Sequence, residues 1–133
     1  MVAQLNFRQG ETSHGRGLAG ERAAEEALEA AGLTVVARRF RCRMGEIDLV
    51  AWEGAVLVFV EVKRRASVSH GTPAESVDAR KRARLARAAA VWLGRYDQEP
   101  PPCRFDVVEI RDGPGGGLLS HHVRDAFRIW RTG

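Results

Sequence analysis

Residues 45–65 read GEIDLVAWEGAVLVFVEVKRR, and the reading of this stretch decides the fold. Two apolar runs flank Glu53-Gly54, a pair suited to a hairpin turn. The second run, LVFVEVKRR, has the unbroken Leu, Val and Phe of a strand covered on both faces. Yet it admits Glu61 and Lys63, and charge in such a place is costly unless it is paired, binds a metal or does chemistry. With the turn on Glu53-Gly54, Glu46 is expected opposite Glu61, and Asp48 opposite Phe59 and diagonal to Glu61. Strand alternation puts Glu61 and Lys63 on one face with Leu57 and Phe59, and puts Asp48 on that same face of the sheet. Diagonal neighbours lie about 7–8 Å apart, so two carboxylates can converge on one cation. A three-residue loop would send Asp48 to the other face.

The resulting pattern, Asp48 followed by Glu61-Val62-Lys63, suits metal-assisted phosphodiester cleavage. Two carboxylates suit a hard cation such as Mg²⁺ that keeps water and accepts a phosphate oxygen. An ammonium two residues from the second acid shares its strand face, where it can orient a water or offset charge on the phosphorus. The plainer reading of Glu61 and Lys63 is an ion pair at a strand end, and that of Asp48 is a cap on a backbone amide.

Working outward, LAGERAAEEALEAA (18–31) predicts a helix closed by Gly32, with Ala24, Ala27, Leu28 and Ala31 as its apolar stripe. Glu21 lies near the edge of that stripe; its plainer role is a first-turn acid complementing the helix dipole. A short strand is expected around Leu33–Val36, then a basic segment, ARRFRCRMG. After the hairpin comes a loop, RASVSHGTP, and a long helix ending near Tyr96. It starts either at the capping-box sequence Thr72-Pro73-Ala74-Glu75 or at Asp78. Val77, Leu85, Ala88, Trp92 and Tyr96 line its apolar side, with Lys81 close to the middle. The run RKRARLAR makes its start basic, for solvent or for phosphate. QEPPP is a stiff linker, RFDVVEI a strand, DGPGGG a turn and LLSHHVRDAF a final strand. The order helix, strand, hairpin, helix, strand, strand predicts an α/β fold around a central mixed sheet.

The chain has 133 residues, 44% hydrophobic and 29% charged, which suits one domain with its own core. Residues 1–16 are expected to form a flexible N-terminal segment and 17–133 the single domain. No apolar stretch is long enough to span a bilayer and the N-terminus lacks a signal-like apolar core, so a cytoplasmic location is expected. Cys42 and Cys103 have no metal-type spacing and read as reduced thiols. The net charge of +4 and pI of 9.8 favour a polyanionic partner. Among 21 basic residues the only lysines are Lys63 and Lys81, at places where a compact ammonium suits a phosphate better than a planar guanidinium.

The Gly-Glu near the first helix, GEIDLVA, FVEVKRR, the basic ARKRARL and the strand RFDVV, in that order from Gly17 to Phe127, resemble the YraN-like family. That family is placed in the PD-(D/E)XK, restriction-endonuclease-like superfamily and is similar to archaeal Holliday-junction resolvases. The resemblance implies a restriction-endonuclease-like mixed β-sheet flanked by helices, and a nuclease dependent on Mg²⁺ or Mn²⁺. By the same resemblance Asp48 and Glu61 are metal ligands, Val62 lends its backbone carbonyl, Lys63 is the catalytic lysine and Glu21 completes the site. Lys81, Arg39, Arg43, Arg64 and Arg65 are then the nucleic-acid contacts. Ile47 stands where many members of the superfamily carry proline. DNA is the expected partner, and a homodimer is expected by analogy with resolvases, since a four-way junction presents two symmetric cuts. Two other classes fit the same residues: a non-catalytic nucleic-acid-binding module, and a protein that recruits an acidic partner. His121-His122 is no metal pair, because adjacent strand residues point to opposite faces.

Overall fold

The computed structural model describes residues 13–65 and 77–128. Residues 66–76, which include His70, most of the expected loop and the alternative helix start at Thr72, lie outside them, as do residues 1–12 of the expected flexible segment. The elements in chain order are α1 (Ser13–Ala30), β1 (Thr34–Cys42), β2 (Gly45–Glu53), β3 (Val56–Arg65), α2 (Ala79–Leu93), β4 (Cys103–Asp112) and β5 (Leu118–Phe127). They build one five-stranded sheet in the order β1-β2-β3-β4-β5. Three neighbouring pairs are antiparallel and β3·β4 is parallel, with α2 in the crossover between them. The expected mixed sheet with flanking helices is the observed fold.

β3 is central, and its middle is buried on both faces. Leu57 and Phe59 pack with Leu85, Ala88, Ala89 and Trp92 of α2. Val58 and Val60 pack with Ala24 and Leu28 of α1. This explains why the run lacks the polar alternation of a half-exposed strand. Helix α1 begins earlier than the apolar stripe suggests and ends as the sequence requires. Gly32 takes φ +98°, its N–H donates to Glu29 O at 3.0 Å, and the Leu33 N–H donates to Leu28 O at 3.0 Å. These bonds form a Schellman ending, and Leu28 and Leu33 are both buried beside it. Of the two possible starts for α2, Asp78 is the N-cap, its carboxylate accepting the Lys81 N–H at 2.9 Å.

Two expectations need correction. The basic segment after Val36 continues β1 as far as Cys42. β1 is an edge strand, so Arg38 and Arg41 extend into solvent without breaking the ladder, a common way to protect an edge. The hairpin turn is also centred one residue later than the sequence suggested. Gly54 takes φ +58°, the positive value a tight hairpin needs at its first central position, so Gly54-Ala55 forms the loop. The pairs are therefore Val50↔Phe59 and Leu49↔Val60. Glu46 is therefore not the partner of Glu61: the ladder ends at Leu49↔Val60, and Asp48 lies just beyond it with its carboxylate on the Val62 N–H. Moving the turn centre by one residue moves the pairing by two, which keeps Val50 with Phe59 on the α2 side and Leu49 with Val60 on the α1 side.

The β1–β2 turn is pressed onto α2. A Cβ on Gly45 would lie 2.8 Å from the Arg84 carbonyl oxygen. Gly45→Ala is accordingly expected to lower stability by about 1–3 kcal/mol through overpacking, measured by urea denaturation. An unchanged midpoint would mean that the hairpin is free to move off the helix.

Candidate active site

Charged side chains from five elements meet where β2 and β3 leave their ladder. Beyond the last pair, Leu49↔Val60, Asp48 Oδ2 accepts the Val62 N–H at 2.8 Å. The side chain thus satisfies a donor that the strand no longer pairs. Glu61, only 5% exposed, comes from β3. Lys81 of α2 places Nζ 2.8 Å from Glu61 Oε2. Glu21 of α1 accepts from Arg39 Nε at 2.8 Å. Arg39 has φ +53°, an uncommon conformation for a side-chain-bearing residue, at the point where its guanidinium meets Glu21.

Burial, and then the neighbouring Glu61 carboxylate, push the Asp48 carboxyl up to about 8. Glu21 adds to the push, while the Val62 N–H and Lys81 oppose it without cancelling it. Burial works against the Lys81 ammonium too, but its hydrogen bond to Glu61 prevails and holds its pKa above the usual lysine value. The two acids therefore repel each other, and one flexible lysine only partly relieves them.

A second buried aspartate provides the contrast. Asp106 of β4 receives two guanidinium bonds from Arg104 at 2.8 and 3.1 Å, the His122 ring at 2.7 Å and the Asp125 N–H at 2.9 Å. Burial alone would raise its pKa, yet His122, Arg104 and the Asp125 N–H outweigh it and hold the carboxyl below the ordinary value. Asp106 is fully partnered at the irregularity in the β4·β5 pairing, where it secures the sheet. Asp48 is under-partnered, the condition expected of a group kept for chemistry.

Lys63 follows Glu61 by two residues on β3 and has no hydrogen bond or ion pair with any described residue. Its neighbour across the parallel pair is Glu109, which is 1% exposed. Both Glu109 oxygens are taken, Oε2 by Arg65 Nη1 at 2.7 Å and Oε1 by Arg111 Nε at 2.8 Å. Lys63 is left uncommitted beside a neutralised acid.

The structure thus gathers Asp48, Glu61, Val62, Lys81 and Glu21 at the splayed end of two central strands, with Lys63 on the same strand. The expected nucleic-acid contacts are more dispersed. Arg39 bonds Glu21, Arg64 bonds Asp112 at 2.7 Å, Arg65 holds Glu109, and Arg43 is exposed on the β1–β2 turn. Sequence reasoning missed Glu109. Its signal was present in RFDVVEIRD, an acid inside an apolar strand run flanked by arginines. His122 is an Asp106 partner and Cys42 and Cys103 are free thiols. Among the described residues no helix is long and apolar enough to cross a membrane.

Fold and site together define an α/β domain with a mixed five-stranded sheet, two flanking helices and a strained acid pair beside a lysine. A model of the uncharacterised protein family UPF0102 matches residues 20–110, a span that holds every residue of this site. The chain belongs to that family. It is 55% identical over 111 residues to a UPF0102 protein of Symbiobacterium thermophilum, covering 84% of this chain and 94% of the relative. A UPF0102 protein of Halorhodospira halophila is 50% identical over 113 residues, 85% of this chain and 87% of the relative. One from Nocardia farcinica is 42% identical over 127 residues, 96% of both.

Proposed function

We propose that the chain is a divalent-metal-dependent nuclease of the PD-(D/E)XK type that cleaves phosphodiester bonds in DNA, with flapped or branched structures as its substrates. One observation carries the reading: just past the last β2·β3 pair the half-buried Asp48 and the buried Glu61 lie close enough for their carboxylates to repel, and Lys63, on the Glu61 strand, is left without a partner among the described residues. The donor set fits Mg²⁺ or Mn²⁺. Asp48 and Glu61 are hard oxygen donors whose mutual repulsion a dication would relieve, and the Val62 carbonyl is a third oxygen in sequence between the acid and the lysine. Among the described residues no group of three or more His, Cys, Asp or Glu is arranged to hold a metal ion; the proposed cation would rest on two carboxylates, water and a substrate phosphate oxygen. Bound there, the cation would supply positive charge to the phosphate and lower the pKa of a water.

The residues of this chain do the rest. Asp48 is fixed by the Val62 N–H and Glu61 by Lys81, so the carboxylates are oriented before substrate arrives. Lys63 would orient the attacking water and offset charge on the phosphorus as the ester oxygen leaves. Glu21, held by Arg39, adds a carboxylate on the α1 side.

A second reading is a nucleic-acid-binding module, favoured by the Lys81–Glu61 bridge, which already sets an ammonium against one acid. Cleavage of labelled linear, flapped and four-way-junction DNA in Mg²⁺, Mn²⁺ or EDTA separates the two. Metal-dependent cutting that disappears in Lys63→Ala is expected. Tight, salt-sensitive binding without cutting would support the binding module instead.

A further inference from the structure

Outside the acid pair, the β1–β2 hairpin and the start of α2 enclose a cleft of about 240 Å³, lined by Arg41, Cys42, Arg43, Gly45, Glu46 and Arg84, with Met44 at the turn. Its walls are built in. The Gly45 backbone meets the Arg84 carbonyl so closely that no Cβ fits, and Cys42 Sγ lies 3.5 Å from Gly45 O. Three guanidinium groups face one carboxylate. Glu46 holds Arg41 at 3.3 Å, while Arg43 and Arg84 have no carboxylate partner among the described residues. The cleft therefore carries surplus positive charge with bidentate donors, which is the chemistry that recognises phosphate.

Its position ties it to the site. Arg84 follows Lys81 by one helical turn, about 4.5 Å along the axis, and the two cations lie close enough for Arg84 to weaken the Lys81 ammonium. Glu46 precedes Asp48 by two residues on β2, about 7 Å along the strand. Measured along β2, the cleft residue Glu46 is thus offset from Asp48 by about 7 Å, on the scale of one backbone step of an extended nucleic-acid strand.

The geometry points to a phosphate subsite formed by Arg84, Arg43 and Arg41 that holds the backbone phosphate next to the one at the acid pair. The inference rests on the nucleic-acid reading above and deepens it. It assigns the hairpin tip the task of fixing which linkage of the strand reaches Asp48 and Glu61. Arg43 and Arg84 come from different elements, so an anion between them also binds the hairpin to α2.

The test is fluorescence anisotropy in EDTA, with a labelled DNA flap in which one neutral methylphosphonate is moved linkage by linkage. For the wild-type chain, one linkage should weaken binding about tenfold, as expected for loss of a charge-assisted hydrogen bond. In Arg43→Ala/Arg84→Ala that same substitution should have no further effect, and the slope of log affinity against log salt should fall by roughly one for each phosphate the protein no longer neutralises. Arg43→Gln alone, on an exposed turn, gives a weaker form of the same result if replacing Arg84 perturbs α2. A linkage penalty of equal size in wild type and both variants overturns the subsite while leaving the nuclease reading intact. A wild-type chain that binds no DNA at low salt overturns both.

Discussion

Asp48→Asn is expected to give a protein that is more stable than the wild type near pH 8 and unable to cut DNA. Asparagine keeps the shape of the side chain and an oxygen for the Val62 N–H, but removes the charge that burial and Glu61 oppose. The Asp48 pKa is raised to about 8 in the fold, from an ordinary value of 3.8. Between those values the folded protein holds a proton that the unfolded chain has lost, so stability falls as pH rises through the window. The favourable contribution is fully present below the ordinary value, declines toward pH 8 and is gone above it. The difference between variant and wild type should thus be small near pH 4 and grow to a plateau of a few kcal/mol above pH 8.

Thermal melts from pH 4 to 9 measure that difference. A variant no more stable than wild type at pH 8.5 would show that Asp48 is as well partnered as Asp106. Asp106→Asn should behave in the opposite sense, because a lowered folded pKa contributes stability above the ordinary value and loses it as pH falls. Mg²⁺ should raise the wild-type melting temperature and leave Asp48→Asn nearly unmoved, since a ligand stabilises only the state that binds it.

Lys63→Met is expected to slow cleavage by about 10²–10³-fold, the loss typical of removing one group that stabilises developing charge. Melting temperature and DNA affinity should stay close to wild type. Lys63 has no partner among the described residues, so its removal breaks no ion pair there, and methionine retains the apolar stem. Single-turnover cleavage, melting and anisotropy on one preparation separate the outcomes. A large drop in stability would make Lys63 a structural cation, and unaltered cleavage would remove it from the chemistry. Glu109 behaves differently. That acid lies beside Lys63 in the sheet, but its two oxygens are occupied by Arg65 and Arg111, so it organises the strand ends without competing for the lysine.

Much of this site was legible because strand alternation is a local rule. Alternation puts Glu61 and Lys63 on one face of β3, and the same rule reaches β2 only as far as Leu49, where the ladder ends. The helix lysine was singled out by its place in the predicted apolar stripe; in the fold it is half exposed and reaches the site through its bond to Glu61. The choice of partners was not legible. Arg39 and Arg65 read as free cations on basic segments, yet Glu21 and Glu109 claim them. Those partners lie 18 and 44 residues away, beyond the reach of any periodicity.

By itself the sequence determined the element order, the two-faced burial of β3 and the Gly32 ending of α1. Each follows from the 2.0 and 3.6 periods of side-chain direction or from the backbone freedom of glycine at one position. Only the tertiary structure decided that Asp48 caps the Val62 N–H beside Glu61, that Lys81 bridges to Glu61, and that Arg41, Arg43 and Arg84 line a cleft. These depend on the turn centre at Gly54-Ala55 and on how α2 returns across the sheet. Charge pairing follows distance through space, and the chain's local pattern carries no record of which distant groups the fold will bring within hydrogen-bonding reach.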